Sequence, residues 1–580
     1  MLILMWLSAM LATSLSLARN GSDQIIIKYK DTDKATTIIQ RLQNANPIAN
    51  KYGVSLNRKH KIFSGATVVN LGKNLPKVKL EQLLKSLADS DNSIEYVEED
   101  AIMQPNMVPN DPRYNEQWNY HEQQGGINLE AAWDISSGAG AVVAVVDTGY
   151  RPHTDLVQNI ISGYDFISST SVSNDGDGRD NNPVDPGDGG SSCTSLESSW
   201  HGTHVAGTIA AKTNNGVGVA GIAYNAHIVP VRVLGCGGGY VSDVADGIVW
   251  AAGGSVPNVP ANSNPADVIN LSLGGSGACG NTYQNAIDYA LSRNSVVVVA
   301  AGNNNVDASN QRPANCSGVI AVAATNRTGG KAYYSNYGSI VTLSAPGGET
   351  NGSIGNGILS TLNSGYTTPG SDNYEFYQGT SMATPHVSGV AALMKSLEHR
   401  LSPAQIAKIL ENTARPFPST CNGCGAGILR ADQAVSTASS SLVPFYRYFN
   451  SFINDHFYTI DRNDDGYGGY GYAFETVEAY LSSKPRTGFV PLYRYWNPFG
   501  GDHFYTTVRN DQGYGNYGYS YEKIEGYVKS ASGNGFSPLH RYFNGGSITD
   551  HFYSPIRNDS GYGYYGYVYE GIEGYVQPTL

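Results

Sequence analysis

Five apolar runs mark the middle of the chain, at 141–146, 228–234, 267–273, 295–300 and 318–323, many of them Val-rich and each followed by a stretch of helical pattern. A strand that is apolar on both faces is buried on both, so this alternation predicts an α/β fold, a parallel sheet with helices on both faces. Further on, Met382, Val387, Val390, Ala391, Leu393, Met394 and Leu397 recur at roughly helical spacing, which predicts a buried helix over 381–397 with Pro385 in its first turn. Ahead of this body the pattern changes. Strands are predicted at Gln24–Tyr29, Ala66–Leu71 and Ile94–Glu98, and amphipathic helices at 34–46 and 77–89, a small α+β module of β-α-β-β-α-β, ferredoxin-like order. Behind it, Pro444, Pro491 and Pro538 each open a unit, 47 residues apart, reading PFYRYFN, PLYRYWN and PLHRYFN, then DHFY, RND and a Gly-Tyr cluster. Alternation in these units predicts about four strands each and a closed all-β three-repeat module, a β-trefoil.

The remaining stretches set the limits of these parts. Met1–Ala18 is apolar and ends in small residues, the pattern of a secretory signal peptide; it is short of the ~20 residues a membrane span needs. No Lys or Arg precedes its apolar run, which departs from the usual signal. Ser436–Ser441 reads as a Ser-rich linker. The expected layout is therefore a signal over 1–18, the small module over 19–107, the α/β body over 108–438 and the repeats over 443–580. With 37 basic and 49 acidic residues the net charge is −12, which argues against nucleic acid or an anionic membrane as partner. That charge is unevenly spread: residues 19–107 hold 13 basic and 10 acidic side chains, a charge of +3 facing −15 in the rest. In an exported chain six cysteines favour disulfides, and position suggests that neighbours pair, Cys193 with Cys236, Cys279 with Cys316 and Cys421 with Cys424, although spacing leaves connectivity open. A single C-x-x-C without a second ligand pair makes a poor zinc site.

Three stretches carry chemistry together. Ser381 stands at the mouth of the predicted helix in GTSMATPHVSG, where a serine alone is most often an N-cap. Val142–Val146 ends in Asp147-Thr148-Gly149, delivering a carboxylate at the C-terminal end of a buried strand. His201 opens HGTHVAGTIA. A hydroxyl nucleophile needs a base, and the base needs a carboxylate to fix its tautomer, so the three supply one mechanism. Their order along the chain, Asp, His, Ser, is that of subtilisin.

With VVAVVDTGYRPHTDL, HGTHVAGTIA and GTSMATPHVSG in this order, the chain from Pro109 to Ala438 resembles the subtilase family of serine endopeptidases. The resemblance implies Asp147 as orienting acid, His201 as general base, Ser381 as nucleophile and Asn303, at the end of VVVVAAGN, as an oxyanion donor. It also implies substrate contacts along Ser272, Leu273 and Gly274, with Ala301 and Gly302 opposite. For residues 19–107 it implies an inhibitory propeptide and folding aid, cut from an autoprocessed zymogen near Gln104–Val108. His204 and His386 read as packed residues without chemistry.

Between Asp147 and His201 lies an acidic, Gly-rich loop with Asp175, Asp177, Asp180, Asp185 and Asp188. Carboxylates so close together repel unless neutralised, and a structural calcium ion is the expected answer; such loops are common among subtilases. The reading is thus a secreted, extracellular, monomeric endopeptidase acting on proteins and peptides. Its repeats have a glycan or surface ligand as possible partner. Two rivals stand against it: an adhesin or carbohydrate-binding protein whose activity lies in the repeats, and an esterase.

Overall fold

A computed structural model describes residues 21–30, 35–100, 108–418, 421–486, 488–533, 535–546 and 549–578. The signal stretch 1–18 and most of the expected processing junction, 104–107, lie outside the described residues. No helix among them is long and apolar enough to cross a membrane.

The N-terminal unit has the helices and three of the strands that its periodicity predicts, and a fourth strand, Asn57–Lys61, that is exposed along its whole length and gives no apolar signal. Helices Ala35–Lys51 and Lys77–Ser90 alternate with strands Gly21–Tyr29, Asn57–Lys61, Thr67–Pro76 and Ile94–Glu99, which form one antiparallel sheet. Ile25, Ile27, Val69 and Leu71 face Leu42, Leu80, Leu83 and Leu87 across its core.

In the second unit seven strands form a wholly parallel sheet, in the spatial order Leu343–Pro346, Ile320–Thr325, Val296–Ala300, Val268–Leu271, Val142–Asp147, His227–Arg232, Tyr164–Asp165. The two edge strands escape the apolar-run reading because one is only two residues long and the other contains a proline. Alternate residues of the central strands sort to opposite faces. Val143, Val145, Val296 and Val298 join one core with the helices His201–Ala210 and Thr380–Leu397. Ala144, Val146, Val297 and Val299 join another with Val241–Ala251 and Gly280–Ser292. Both faces being covered is why these strands read as unbroken apolar runs.

Ser436–Ser440 is not a linker but the end of a helix, Ala431–Ser440, whose Ala434, Val435 and Ala438 are buried in the first core. Only Ser441 and Leu442 separate it from the next strand, Val443–Asn450. The repeats also depart from four strands each, and with that from a β-trefoil. Each unit has three strands, the first central between the other two, as in Val443–Asn450, Asp455–Thr459 and Ala473–Leu481. The Gly-Tyr run forms a short helix in place of a fourth strand, because the side chains of Asn463, Asn510 and Asn558 each cap its start by accepting from Gly466, Gly513 and Gly561 N.

The three units close on one another through a cycle of tyrosines. Tyr505 Oη accepts from Tyr458 N at 2.8 Å and donates to Tyr458 O at 2.6 Å. Tyr553 serves Tyr505 in the same way, and Tyr458 serves Tyr553. All three side chains are fully buried. A second cycle runs beside it, with His503, His551 and His456 Nδ1 bonded to Asp455, Asp502 and Asp550 at 2.6, 2.7 and 2.6 Å.

This module is docked on the α/β body. Arg400 pairs with Asp461 at 2.6 Å and Arg293 with Asp465 at 3.3 Å, while Gln405 Nε2 donates to Leu442 O at 2.7 Å. One hydrophobic cluster runs from Leu401, Ile406 and Leu410 through Val443 and Phe445 into Leu481, Leu492 and Leu539.

Candidate active site

Asp147 arrives as the last residue of its strand and is fully buried; its Oδ1 accepts from His201 Nδ1 at 2.8 Å and from Thr148 N at 2.7 Å. His201 begins its helix, after a tryptophan whose backbone is left-handed (φ 48°). That conformation costs a non-glycine residue about 1–2 kcal/mol. It is held by burial of the Trp200 indole and its bond to Gly365 O at 2.7 Å. Burial alone would lower the His201 pKa; the Asp147 carboxylate, with Asp188 and Asp185 behind it, outweighs that and holds it above the ordinary histidine value.

Ser381 is the second residue of the helix Thr380–Leu397. Its Oγ donates to Ser272 O at 3.1 Å, and Ser272 Oγ donates to Ser381 O at 2.8 Å, so the serine is fastened to the continuation of the strand Val268–Leu271. Asn303 follows the strand Val296–Ala300. Its Oδ1 accepts from both the N and the Oγ1 of Thr380, at 2.8 and 2.9 Å, which leaves its Nδ2 as the group to be offered elsewhere. Gly302 makes this turn with φ 103°, and a Cβ there would lie 2.4 Å from Asn336 Nδ2. His201, Ser381, Asn303, Ser272, Leu273, Gly274, Ala301 and Gly302 all line one open cleft of about 690 Å³. Gln311 and Arg312, whose strand pairs with Gly275–Ser276, line it as well. Those two residues carry no signal in the sequence, whereas Thr380, behind Asn303, lies within GTSMATPHVSG.

His204 and His386 are buried beside the site and neutral, pushed by burial down to about 3 and about 4. His204 Nε2 donates to Ile358 O at 2.9 Å and His386 Nδ1 to Met382 O at 2.8 Å.

The five loop aspartates do not converge. Asp175, Asp177 and Asp180 lie along one bent segment, where desolvation and then repulsion from Asp175 and Asp180 raise the Asp177 pKa. Asp175 also meets Arg232, a buried residue that faces Asp165 as well. Asp185 and Asp188 are drawn off toward His201: Asp185 Oδ2 accepts from Thr148 Oγ1 at 2.9 Å, and Asp188 accepts from Ser199 N and Oγ, both at 2.6 Å. The cause is tertiary. Asp185 N bonds to Tyr150 O and Tyr150 N to Pro183 O, which fastens this end of the loop to the Asp147 turn. Among the described residues the one group of three carboxylates close enough to share an ion is Asp455, Asp502 and Asp550, and there the oxygens are taken up by His Nδ1 and Tyr hydroxyl donors. The structure joins Cys193 to Cys236, Cys279 to Cys316 and Cys421 to Cys424.

A doubly covered parallel sheet with a buried Asp–His pair opening onto a serine-lined cleft defines an α/β serine hydrolase. Comparison with known proteins narrows the class. Residues 138–443 match the Subtilase family, and residues 444–577 match a domain of unknown function, DUF5648. The chain is 49% identical over 430 residues to an extracellular protease of Xanthomonas campestris pv. campestris, covering 72% of this chain and 73% of that one. It is 42% identical over 445 residues to an extracellular basic protease of Dichelobacter nodosus, covering 73% and 72%. A solved protease structure from Pseudoalteromonas arctica, 59% identical, covers 57% of this chain and all of its own, with a TM-score of 0.56. The chain belongs to the subtilase family and is a serine endopeptidase.

Proposed function

We propose that this endopeptidase is secreted, is made as an autoprocessed zymogen, and works through Asp147, His201, Ser381 and Asn303. The observation that carries the reading is the 2.8 Å bond from His201 Nδ1 to a buried Asp147, at a cleft that Ser381 and Asn303 also line. An extended peptide lies along Ser272–Gly274 through main-chain bonds, and its side chain ahead of the scissile bond enters beside Ala301 and Gly302. Rotation of the Ser381 side chain away from Ser272 O frees its hydroxyl. Oγ then attacks the carbonyl carbon while His201 Nε2 takes the proton, and Asp147 stabilises the imidazolium through Nδ1–H. Asn303 Nδ2 and the Ser381 N–H receive the oxyanion. As the intermediate collapses, His201 protonates the leaving amine; water then hydrolyses the acyl-enzyme with His201 again as base. The binding-protein alternative is not favoured, since the matched relatives are named as proteases.

The direct test is casein hydrolysis with a serine-directed inhibitor. Activity is expected to be abolished by the inhibitor and to rise with pH through an ionisation above the usual histidine range, because His201 is a base only when neutral. Undiminished hydrolysis after full labelling of Ser381 would overturn the assignment.

Residues 19–107 are proposed as the inhibitory propeptide, with the family's habit and the +3 charge as support. Calcium is proposed in the acidic loop, in a family whose members generally bind structural calcium; since Asp175, Asp177 and Asp180 do not bring three carboxylates within reach of one ion, main-chain carbonyls and water would have to complete its coordination. When bound, the ion would supply counter-charge and hold the loop, with no part in the chemistry. Free calcium at 100 times its dissociation constant would add about 2.7 kcal/mol of stability. Chelation is therefore expected to lower Tm and hasten autolysis, and equal Tm in calcium and in chelator would exclude the site.

For the repeats a glycan or surface ligand is proposed. Phe452 and Tyr470 are 87% and 80% exposed and are stitched together by Asn450, which accepts from Phe452 N and donates to Tyr470 O. Phe499 and Tyr517 repeat this around Asn497. Flat rings presented at equivalent places, with no role in the core, suit stacking on a repetitive surface.

A further inference from the structure

The helix His201–Ala210 starts without a cap of its own, since the Trp200 side chain makes no cap bond. The first N–H groups of a helix need acceptors, and the positive end of the helix dipole favours anions beside them. Two hydroxyls outside the helix supply the acceptors. Thr148 Oγ1 accepts from Gly202 N at 3.0 Å, and Ser199 Oγ accepts from His201 N at 3.3 Å. Each hydroxyl donates in turn to a carboxylate, Thr148 to Asp185 at 2.9 Å and Ser199 to Asp188 at 2.6 Å. Asp185 is 1% exposed and is itself fixed by Gly187 N at 2.8 Å.

The two arms are not equivalent. Ser199 lies in the same segment as His201, so its arm braces the helix start locally. Thr148 follows Asp147 directly, and its arm reaches Gly202, the residue after His201. One hydroxyl therefore ties together the two backbones that present the acid and the base. The fit there is close: a Cβ at Gly202 would lie 2.0 Å from Gly149 O, so the helix start is pressed against the Asp147 turn with no slack.

We propose that Thr148 and Asp185 are positioning residues that hold His201 in register with Asp147, with Ser199 and Asp188 as the second brace. The proposal rests on the reading of His201 as general base. Asp185 and Asp188, which composition alone groups with cation ligands, thus belong to the support of the acid–base pair. Their role is to keep the imidazole where it must be, and a misplacement of about 1 Å at such a site costs about 100-fold in rate.

The test compares Thr148→Val, which removes the hydroxyl at nearly constant volume, with Thr148→Ser, which keeps it. Rates are taken on a soluble peptide with mature enzyme, per active site titrated with a serine-directed label. Thr148→Val is expected to lower kcat by roughly 10- to 100-fold with KM changed less than about twofold, and Thr148→Ser to restore most of the loss. Thr148→Ala, which also lacks the hydroxyl, takes the place of Thr148→Val if that variant does not mature. Wild-type kcat without the hydroxyl, or an equal loss in Thr148→Ser, would overturn the proposal. His201→Ala separates the two readings: if it is inactive while Thr148→Val is normal, only the positioning role falls, and if it stays active the base assignment falls with it.

Discussion

Replacing Ser381 by alanine is expected to lower kcat by roughly 10⁶-fold, the scale on which the serine of an Asp-His-Ser unit counts in subtilisin, and to leave KM nearly unchanged once residues 19–107 have been removed by an added protease. The reason is local. In the proposed mechanism Ser381 Oγ forms the acyl bond, and the bonds of the helix start that hold this residue, Ser272 Oγ to Ser381 O and Thr380 N to Asn303 Oδ1, do not involve that hydroxyl. The fold and the cleft should therefore survive the change. A second readout follows from the zymogen proposal: the variant should accumulate as an uncut precursor, since the junction near 104–108 would be cleaved by the enzyme's own site. Mass spectrometry of the secreted protein decides this. Normal trimming of Ser381→Ala in a protease-deficient host would show that another enzyme does the cutting, and residual activity far above the expected level would remove Ser381 from the nucleophile's role.

Removal of the repeats, by ending the chain after Ser440, is expected to destabilise the α/β body and not merely to untether a passenger. Leu401, Ile406 and Leu410 share a hydrophobic cluster with Val443 and Phe445, and the Arg400–Asp461 pair and the Gln405–Leu442 bond would go as well. Burying each large apolar side chain is worth about 1.5–3 kcal/mol, so exposing even one or two should lower Tm on the order of 5 °C in a body this large. Thermal unfolding of inhibited full-length and truncated enzyme measures it. Equal Tm values would mean that the docked interface contributes nothing. The same pair of proteins tests the ligand proposal: the truncated enzyme should lose retention on an insoluble glycan matrix, as should Phe499→Ala combined with Tyr517→Ala in the full chain. Equal retention of all three would refute it.

Much of the α/β body is legible because its strands are covered on both faces, which turns burial into runs such as Val296–Ala300 that need no tertiary information to recognise. The site is legible for a different reason. Reacting groups must sit beside residues small enough to let a backbone pass, and that need leaves long motifs around Asp147, His201 and Ser381. What stays hidden depends on contacts between distant segments. Asp185 and Asp188 have the same local setting as Asp177, and only the bonds between Tyr150 and the Pro183–Asp185 segment send them to a different task. Ser436–Ser440 misleads because serine content suggests a linker while Ala434, Val435 and Ala438, one face of a single turn, carry the helix. The Gly-Tyr runs mislead through their alternation, which mimics a strand although an asparagine cap turns them into helix.

The tyrosine cycle has a consequence for inheritance. Because each hydroxyl completes the backbone of a neighbouring repeat, and the last completes the first, copy number is a closure condition. Open repeat arrays can gain or lose a unit at either end and stay folded. Here a deletion from three to two would leave buried donors and acceptors without partners, and a fourth copy would have no place around the same centre. Unequal crossing-over among such similar segments should arise readily in the gene, yet its products fail as proteins. The length of this module is therefore fixed by geometry, and descendants can vary the exposed rings and loops but not the count.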